Sequence, residues 1–324
     1  MASITLIILA VFAAVLAVII GIDIYKAKKS NQKYHLKQCI AGYLMMTPAI
    51  VLAFIFVMLP IIFSLGYAFT DYHMYYPNDI NFVGFANFTD LFKEIGAKGE
   101  LYHAIMNTLL FVVCVVPLQI GLALVLALFT NRKKRGVKIF KVCFFAPVVI
   151  SLTVTSFLWL QILSPSESGL LNSFLATFGI GPVDFLADKN TAMLWIVLLS
   201  AWQGCGYQML IFSSGLTNIR DDLYEAASLD GAGGWNKFIR ITLPGLKPTL
   251  LYITITVFVG ACRVMIQPML MTGYQYHTVT LSYYMYQLGY GSKLVGLSSA
   301  VALLMTIVIG CITLAQRKLL GEKK

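Results

Sequence analysis

Long apolar runs alternate with short polar segments along the chain, and helix-length runs lie near 2–22, 42–69, 104–129, 139–163, 191–216, 248–272 and 296–316. A helix rises about 1.5 Å per residue and bilayer hydrocarbon is about 30 Å thick, so roughly 20 apolar residues suffice to cross. The pattern predicts an all-α, integral membrane, polytopic bundle of about seven transmembrane helices. No large soluble domain fits between them. The first run has no basic residue ahead of it, and Lys26, Lys28 and Lys29 follow it. That order reads as a retained extra span and a basic linker over residues 1–41, with the main membrane domain at 42–324. A cleaved signal peptide, which leaves six spans, is the alternative.

Pro48, Pro60, Pro117 and Pro147 fall inside the runs, each removing a backbone donor and inviting a bend. The intervening segments 70–103, 164–190 and 273–295 read as re-entrant or interfacial pieces. Asn107 and Thr108 stand at the start of one apolar run, where polar side chains can serve a helix N-terminus. The tyrosines between Tyr274 and Tyr290 read mainly as an aromatic interfacial belt.

Composition agrees with a membrane chain: 59% of residues are hydrophobic, only 12% are charged, and mean hydropathy is +0.80. The formal charge of +10 is a matter of topology. If 23–41, 130–138, 217–247 and the tail are cytoplasmic, that side holds 19 of the 24 basic residues, with Lys141 at a span edge. The N-terminus is then outside, and Lys93, Lys98, Lys189 and Lys293 face out with it. Short basic clusters flanking spans point to membrane lipid and not to nucleic acid. The six cysteines are scattered, with no CxxC and no repeat spacing. They suggest packing thiols rather than a disulfide framework or a metal site.

One polar stretch stands apart, "TNIRDDLYEAASLDGAGGWNKFIRITLPGLKP" over residues 217–248. Asp222 and Glu225 have capping-box spacing for a helix start, and Gly231 stands where a helix ends in a left-handed residue. A second short helix, Trp235 to Thr242, is expected to close at Leu243-Pro244. The small residues around the turn (Ala226, Ala227, Gly231 to Gly234) would let another protein approach closely. An amphipathic hairpin lying on lipid headgroups is the plainer alternative.

The residues Glu225-Ala226-Ala227, Asp230-Gly231, Ile241 and Leu243-Pro244 resemble the EAA signature of membrane subunits of bacterial ATP-binding cassette importers. "YLMMTPAIVLAFIFVMLPIIFSLGYAFTDY", "FVGFANFTDLF", "AIMNTLLFVV", "RGVKIFKVCFFAPVVIS" and "GLLNSFL" occur in the order found in carbohydrate permeases of the maltose-type, first-subunit branch. The resemblance covers roughly Tyr43 to Leu314 and leaves out the first span. It implies a type I importer fold in the bacterial inner membrane, with no cofactor in this chain. The implied partners are a cytoplasmic ATPase that binds ATP and Mg, a second permease subunit and an extracytoplasmic solute-binding protein. Glu225, Ala226, Ala227, Asp230, Gly231, Ile241, Leu243 and Pro244 would dock in the ATPase. No GxxxxGK[ST] loop occurs here, so the motor would be another chain. Two departures stand out: "MTGYQYHTVTLSYYMY" replaces the family's Gly-rich "TGGGP" piece, and segment 70–103 is too short for a large outer insertion.

Polar groups inside spans are expensive, about 2.5–3.5 kcal/mol for a central Arg on insertion scales. Arg263 is the one basic residue inside a predicted span, and Gln267 would share its helix face. Arg263 could contact a solute, snorkel, or pair with an acid on the partner. Trp202, Gln203, Tyr207 and Gln208 form a polar and aromatic patch, and Trp159 with Gln161 a smaller one. Amides and aromatic rings suit sugars; helix–helix glue is the competing reading. A membrane enzyme would need a catalytic constellation such as HExxH or GxSxG, and neither occurs. A secondary transporter ordinarily couples through intramembrane Asp or Glu, and none lies mid-span. The expectation is a non-catalytic permease for a sugar or oligosaccharide, with glycerol phosphate or another anionic sugar as the alternative.

Overall fold

The structure, a computed structural model, describes Gly21 and residues 36–131, 136–166 and 169–320. The predicted first span, most of the basic linker and the basic cluster Arg132–Arg135 lie outside the described residues. Regular structure among the described residues is helical, apart from two isolated bridges, Thr70 with Phe82 and His73 with Leu294. Compactness divides the chain into two units, Met1–Phe63 and Ser64–Lys324, a boundary inside the second apolar run.

In the first unit, α1 (Leu36–Ala53) carries Pro48 and runs into a π-turn, Phe54–Met58, just ahead of Leu59-Pro60. A proline lacks the N–H, and its ring crowds the carbonyl four residues back. Widening the helix relieves the crowding, and the Leu59 N–H donates to Phe54 O. α2 (Leu59–Tyr67) follows.

The second unit contains α3 (Ala86–Gly96), α4 (Glu100–Thr130), α5 (Val137–Val149), α6 (Leu152–Ile162), α7 (Leu170–Ala176) and α8 (Ala192–Thr217). Beyond them come α9 (Asp221–Leu229), α10 (Gly234–Lys237), a π-turn (Phe238–Thr242), α11 (Leu243–Gly245), α12 (Lys247–Cys262) and α13 (Ile266–Met271). α14 (Leu281–Tyr286), a third π-turn (Gln287–Gly291) and α15 (Val295–Leu320) complete it.

Of the seven predicted spans the first lies outside the described residues, and the other six fall on four continuous helices and two broken stretches. Among the described residues four helices are long and apolar enough to cross a membrane: Met45–Tyr67, Glu100–Thr130, Ala192–Thr217 and Val295–Lys318. Two bent pairs bring the number to six at most. The run 139–163 is broken, with α5 and α6 meeting at 100°. Pro147 weakens the last turn of α5, Ile150 is extended, and Ser151 caps α6 by accepting from the Val154 N–H. The run 248–272 is broken too: α12 ends at Cys262, and α13 begins only at Ile266. Pro268 is the cause, because its ring would strike Val264 O in a continuous helix, whereas the first turn of α13 tolerates it.

α8 is the central element, buried on several faces as expected of a helix that is apolar all round. Cys205, Met209, Phe212 and Leu216 recur at spacings of three and four and pack on Ala123 and Ala127 of α4 and on Ile253 and Val257 of α12. Its upper half joins Phe111 and Val115 of α4 in a second cluster with Phe258 and Val264. A third cluster sets Phe88 and Leu91 of α3 against Tyr283 and Tyr284 of α14 and Ala300 and Val301 of α15. Of the cysteines, Cys205 is a buried packing thiol, but Cys114, Cys143 and Cys311 are exposed, so the packing reading holds for only part of the set.

Asn107 and Thr108 do not serve a helix start, because α4 begins at Glu100. From mid-helix the Asn107 amide donates to Tyr276 O and Val279 O at 2.8 and 2.9 Å, and Thr108 Oγ1 accepts from the Leu281 N–H at 2.8 Å. Both residues thus pin the segment leading into α14. The tyrosines there are only partly a belt. Tyr283 and Tyr284 are buried, and Tyr284 donates to Glu94 Oε2 at 2.8 Å. Tyr274 and Tyr276 donate to the two Glu100 oxygens at 2.9 and 3.1 Å. Burial, and then the neighbouring carboxylate, push the Tyr274 and Tyr284 phenols up, so both stay protonated donors.

Gly206 of α8 faces Phe144 of α5 so closely that a Cβ would fall inside van der Waals contact of Phe144 O. Gly206→Ala is expected to destabilise the protein by about 1–3 kcal/mol through overpacking. A lowered unfolding temperature in detergent checks this; a stability equal to wild type would show that α5 is free to shift away.

Candidate functional site

Two features carry chemistry. The first is a cavity of about 1010 Å³ within the second unit. Its polar lining comes from Gln119 of α4, Ser200, Gln203 and Gln208 of α8, Thr256 of α12, Gln267 of α13, Ser282 of α14, Thr306 of α15, and Arg263. Phe111, Val115, Val264, Met285 and Met305 supply apolar wall. Among the described residues no Asp or Glu lines it.

The helix breaks shape this cavity. At the α5–α6 break, Gln203 Nε2 donates to Ile150 O at 3.1 Å and to Thr155 Oγ1 at 3.2 Å. At the α12–α13 break, Thr280 Oγ1 donates to Val264 O at 2.6 Å and Ser282 Oγ to Cys262 O at 3.4 Å. Gln203, Gln208 and Gln267 are each more than nine-tenths buried, yet Gln203 Oε1 and Gln208 Oε1 have no partner among the described residues. A buried amide oxygen without a partner costs roughly 1–3 kcal/mol, so both glutamines carry an unsatisfied polar atom within the cavity lining.

Arg263 is the C-cap of α12 and not a mid-helix residue. Gln267 therefore does not share its helix face; it lies on α13, across the break, and reaches the same cavity. The structure thus brings together Gln203, Gln208, Arg263 and Gln267. It does not bring Trp202, Tyr207, Trp159 or Gln161 to that wall. Trp202 and Tyr207 are 42% and 48% exposed, and Trp202 lies tilted against Trp159, ring centroids 6.0 Å apart and planes at 54°. Sequence reasoning passed over Gln119, although an amide inside "VVPLQIGLAL" is as costly as the residues it singled out.

The second feature is the α9–α10 knob. Here the N-terminal reading is corrected: Arg220 is the N-cap, with no side-chain cap bond, and Asp222 is taken by Arg220, Nε to Oδ1 at 3.1 Å. Asp221 and Asp222 still place negative charge at the positive end of α9. At the other end Gly231 has φ +74°, the Ala232 N–H donates to Ala227 O at 2.9 Å and the Gly231 N–H to Ser228 O at 3.1 Å. That pair of bonds is a Schellman motif. Pro244 does not close the second helix. A π-turn over Phe238–Thr242 carries the chain through Leu243-Pro244, as before Pro60, and the bend of 67° comes after Gly245.

Tyr224 Oη and Thr242 Oγ1 pair at 2.9 Å, and Lys237 Nζ donates to Ser228 Oγ at 2.6 Å, which tie the two arms together. α9 itself has no buried residue. Leu229 is 90% and Trp235 71% exposed, beside exposed Glu225 and Ala226. A knob with bare apolar tips, joined to α12 through the π-turn and α11, is suited to docking.

Comparison with known proteins follows this geometry. The arabinooligosaccharides transport system permease protein AraP of Bacillus subtilis is 31% identical over 290 residues, covering 88% of this chain and 90% of that protein. The lactose transport system permease protein LacF of Rhizobium radiobacter is 33% identical over 255 residues, 76% and 82% of the two chains. A crystal structure of a bacterial ABC transporter involved in import of the acidic polysaccharide alginate matches with TM-score 0.76 at 25% identity, covering 88% and 96%. A second, in complex with an alginate pentasaccharide-bound periplasmic protein, matches with TM-score 0.76 at 26% identity, covering 87% and 94%. The profile of the binding-protein-dependent transport system inner membrane component matches residues 119–323. With more than half of its length matched and the helical architecture shared, the chain belongs to the family of binding-protein-dependent transport system inner membrane components.

Proposed function

We propose that the chain is the non-catalytic permease subunit of an ATP-driven importer of a sugar or oligosaccharide. A separate cytoplasmic ATPase dimer binds ATP and Mg, a second permease subunit completes the pathway, and an extracytoplasmic solute-binding protein delivers the saccharide. The observation that carries this reading is the α9–α10 knob: Gly231 sets its angle, Glu225 and Ala226 stand exposed, and α12 runs from it to Arg263 at the cavity. Transport names borne by relatives and the periplasmic protein bound in the second matching structure support it. The knob and the C-terminus face the cytoplasm on this reading, in keeping with the distribution of Lys and Arg. The amide-rich cavity is the solute path, because hydroxyl groups bond well to glutamine side chains.

Gly231→Val places a β-branched residue where φ is +74°, at a cost of about 1–2 kcal/mol. ATP-dependent uptake is expected to be lost while the protein still inserts; normal uptake would exclude coupling through this turn. Glu225→Lys is expected to reduce recovery of the copurifying ATPase roughly tenfold. Quantitative mass spectrometry of the purified complex measures that ratio, and an unchanged ratio would refute Glu225 as a docking residue.

A further inference from the structure

The cavity has a sign. Arg263, whose guanidinium is permanently charged, belongs to its lining, and among the described residues no Asp or Glu does. No ion pair or hydrogen bond engages the Arg263 side chain among the described residues, where the ion pairs are Lys93 with Asp90 and Arg220 with Asp222. Arg263 is exposed and belongs to the cavity lining. Around it stand amides more than nine-tenths buried, two of them with unpartnered oxygens.

A cation on a low-dielectric wall is costly unless something negative meets it. Pairing with an acid of a neighbouring subunit would remove Arg263 from the path. Its place in the same cavity lining as Gln203, Gln208 and Gln267 favours a mobile counter-charge instead. We infer that the solute is an anionic saccharide whose carboxylate or phosphate sits on Arg263 while its hydroxyls bond the glutamine amides. This rests on the importer reading and adds the charge of the cargo. A guanidinium holds a carboxylate or a phosphate through two parallel N–H donors, which an ammonium cannot reproduce.

The test uses the complete transporter, purified through a tag on this chain with its partner subunits and binding protein and reconstituted in proteoliposomes. The probes are an oligouronate, a hexose phosphate and a neutral arabino-oligosaccharide. The expected result is ATP-dependent uptake of the oligouronate or the hexose phosphate in preference to the neutral probe; which of the two wins identifies the anion. Arg263→Gln is expected to raise the KM for the anionic probe roughly 10- to 100-fold, with Arg263→Lys in between, while the partner subunits still copurify. Uptake of the neutral probe alone by the wild type would overturn the inference and leave the importer reading intact. Loss of the second permease subunit from the Arg263→Gln complex would also overturn it, by making Arg263 an assembly residue. Absence of ATP-dependent uptake of every probe would remove the importer reading and this inference with it.

Discussion

Every helix break within an apolar layer strands backbone carbonyls and amides that water cannot reach, and each must find a partner from elsewhere in the chain. That constraint organises the second unit. The α5–α6 break is answered by Gln203, the α12–α13 break by Thr280 and Ser282, and the segment before α14 by Asn107 and Thr108. In the 164–190 segment, buried Asn172 donates to Ser164 O and Val183 O and accepts from the Val183 N–H, which holds a stretch with little regular structure. The bonds of Gln203, Asn107 and Thr108 join residues far apart in sequence, so they also fix one segment against another.

The same breaks create the interior space. Two helices that stop short leave a gap between their ends, and the gap is lined by the side chains that repair them. Gln203 shows the double duty: its Nε2 closes the break while its Oε1 is left without a partner. An apolar bundle of unbroken spans would pack shut instead. Broken helices here are therefore the means by which a membrane domain acquires a polar interior without exposing backbone to lipid.

The architecture was legible where the physics is local. Apolar runs of sufficient length marked the membrane helices, and Gly231 declared a left-handed turn because few other residues adopt φ near +74° without strain. Breaks were less legible, since apolar length says nothing of continuity; Pro268, whose ring forbids helix at Val264, was the overlooked sign. Leu59-Pro60 and Leu243-Pro244 show the opposite case. There a proline that could end a helix is absorbed by a preceding π-turn, with Phe54 and Phe238 opening the two turns. Side-chain partners at long range were not legible at all. Nothing local distinguishes Asn107, which holds a carbonyl of residue 279, from a helix-starting asparagine, and nothing in the tyrosine-rich segment shows that Tyr284 reaches Glu94.

The cavity patch was half legible for a related reason. Intramembrane cost singled out Gln203, Gln208, Arg263 and Gln267, which line the cavity, whereas proximity in sequence joined to them Trp202 and Tyr207, which do not. The break after Cys262 matters most here, because it turns Arg263 from a residue stranded in mid-helix into the C-cap of α12. At that place the carbonyl end of the helix favours a positive charge, which lowers the cost of keeping the guanidinium within the membrane. α12 begins at the bend beside the knob and ends at this cation, a single rigid rod about 24 Å long. On the proposed reading, a pull on the knob would pass through the π-turn and α11 into α12 and so to Arg263, joining the motor's stroke to the charge that holds the cargo.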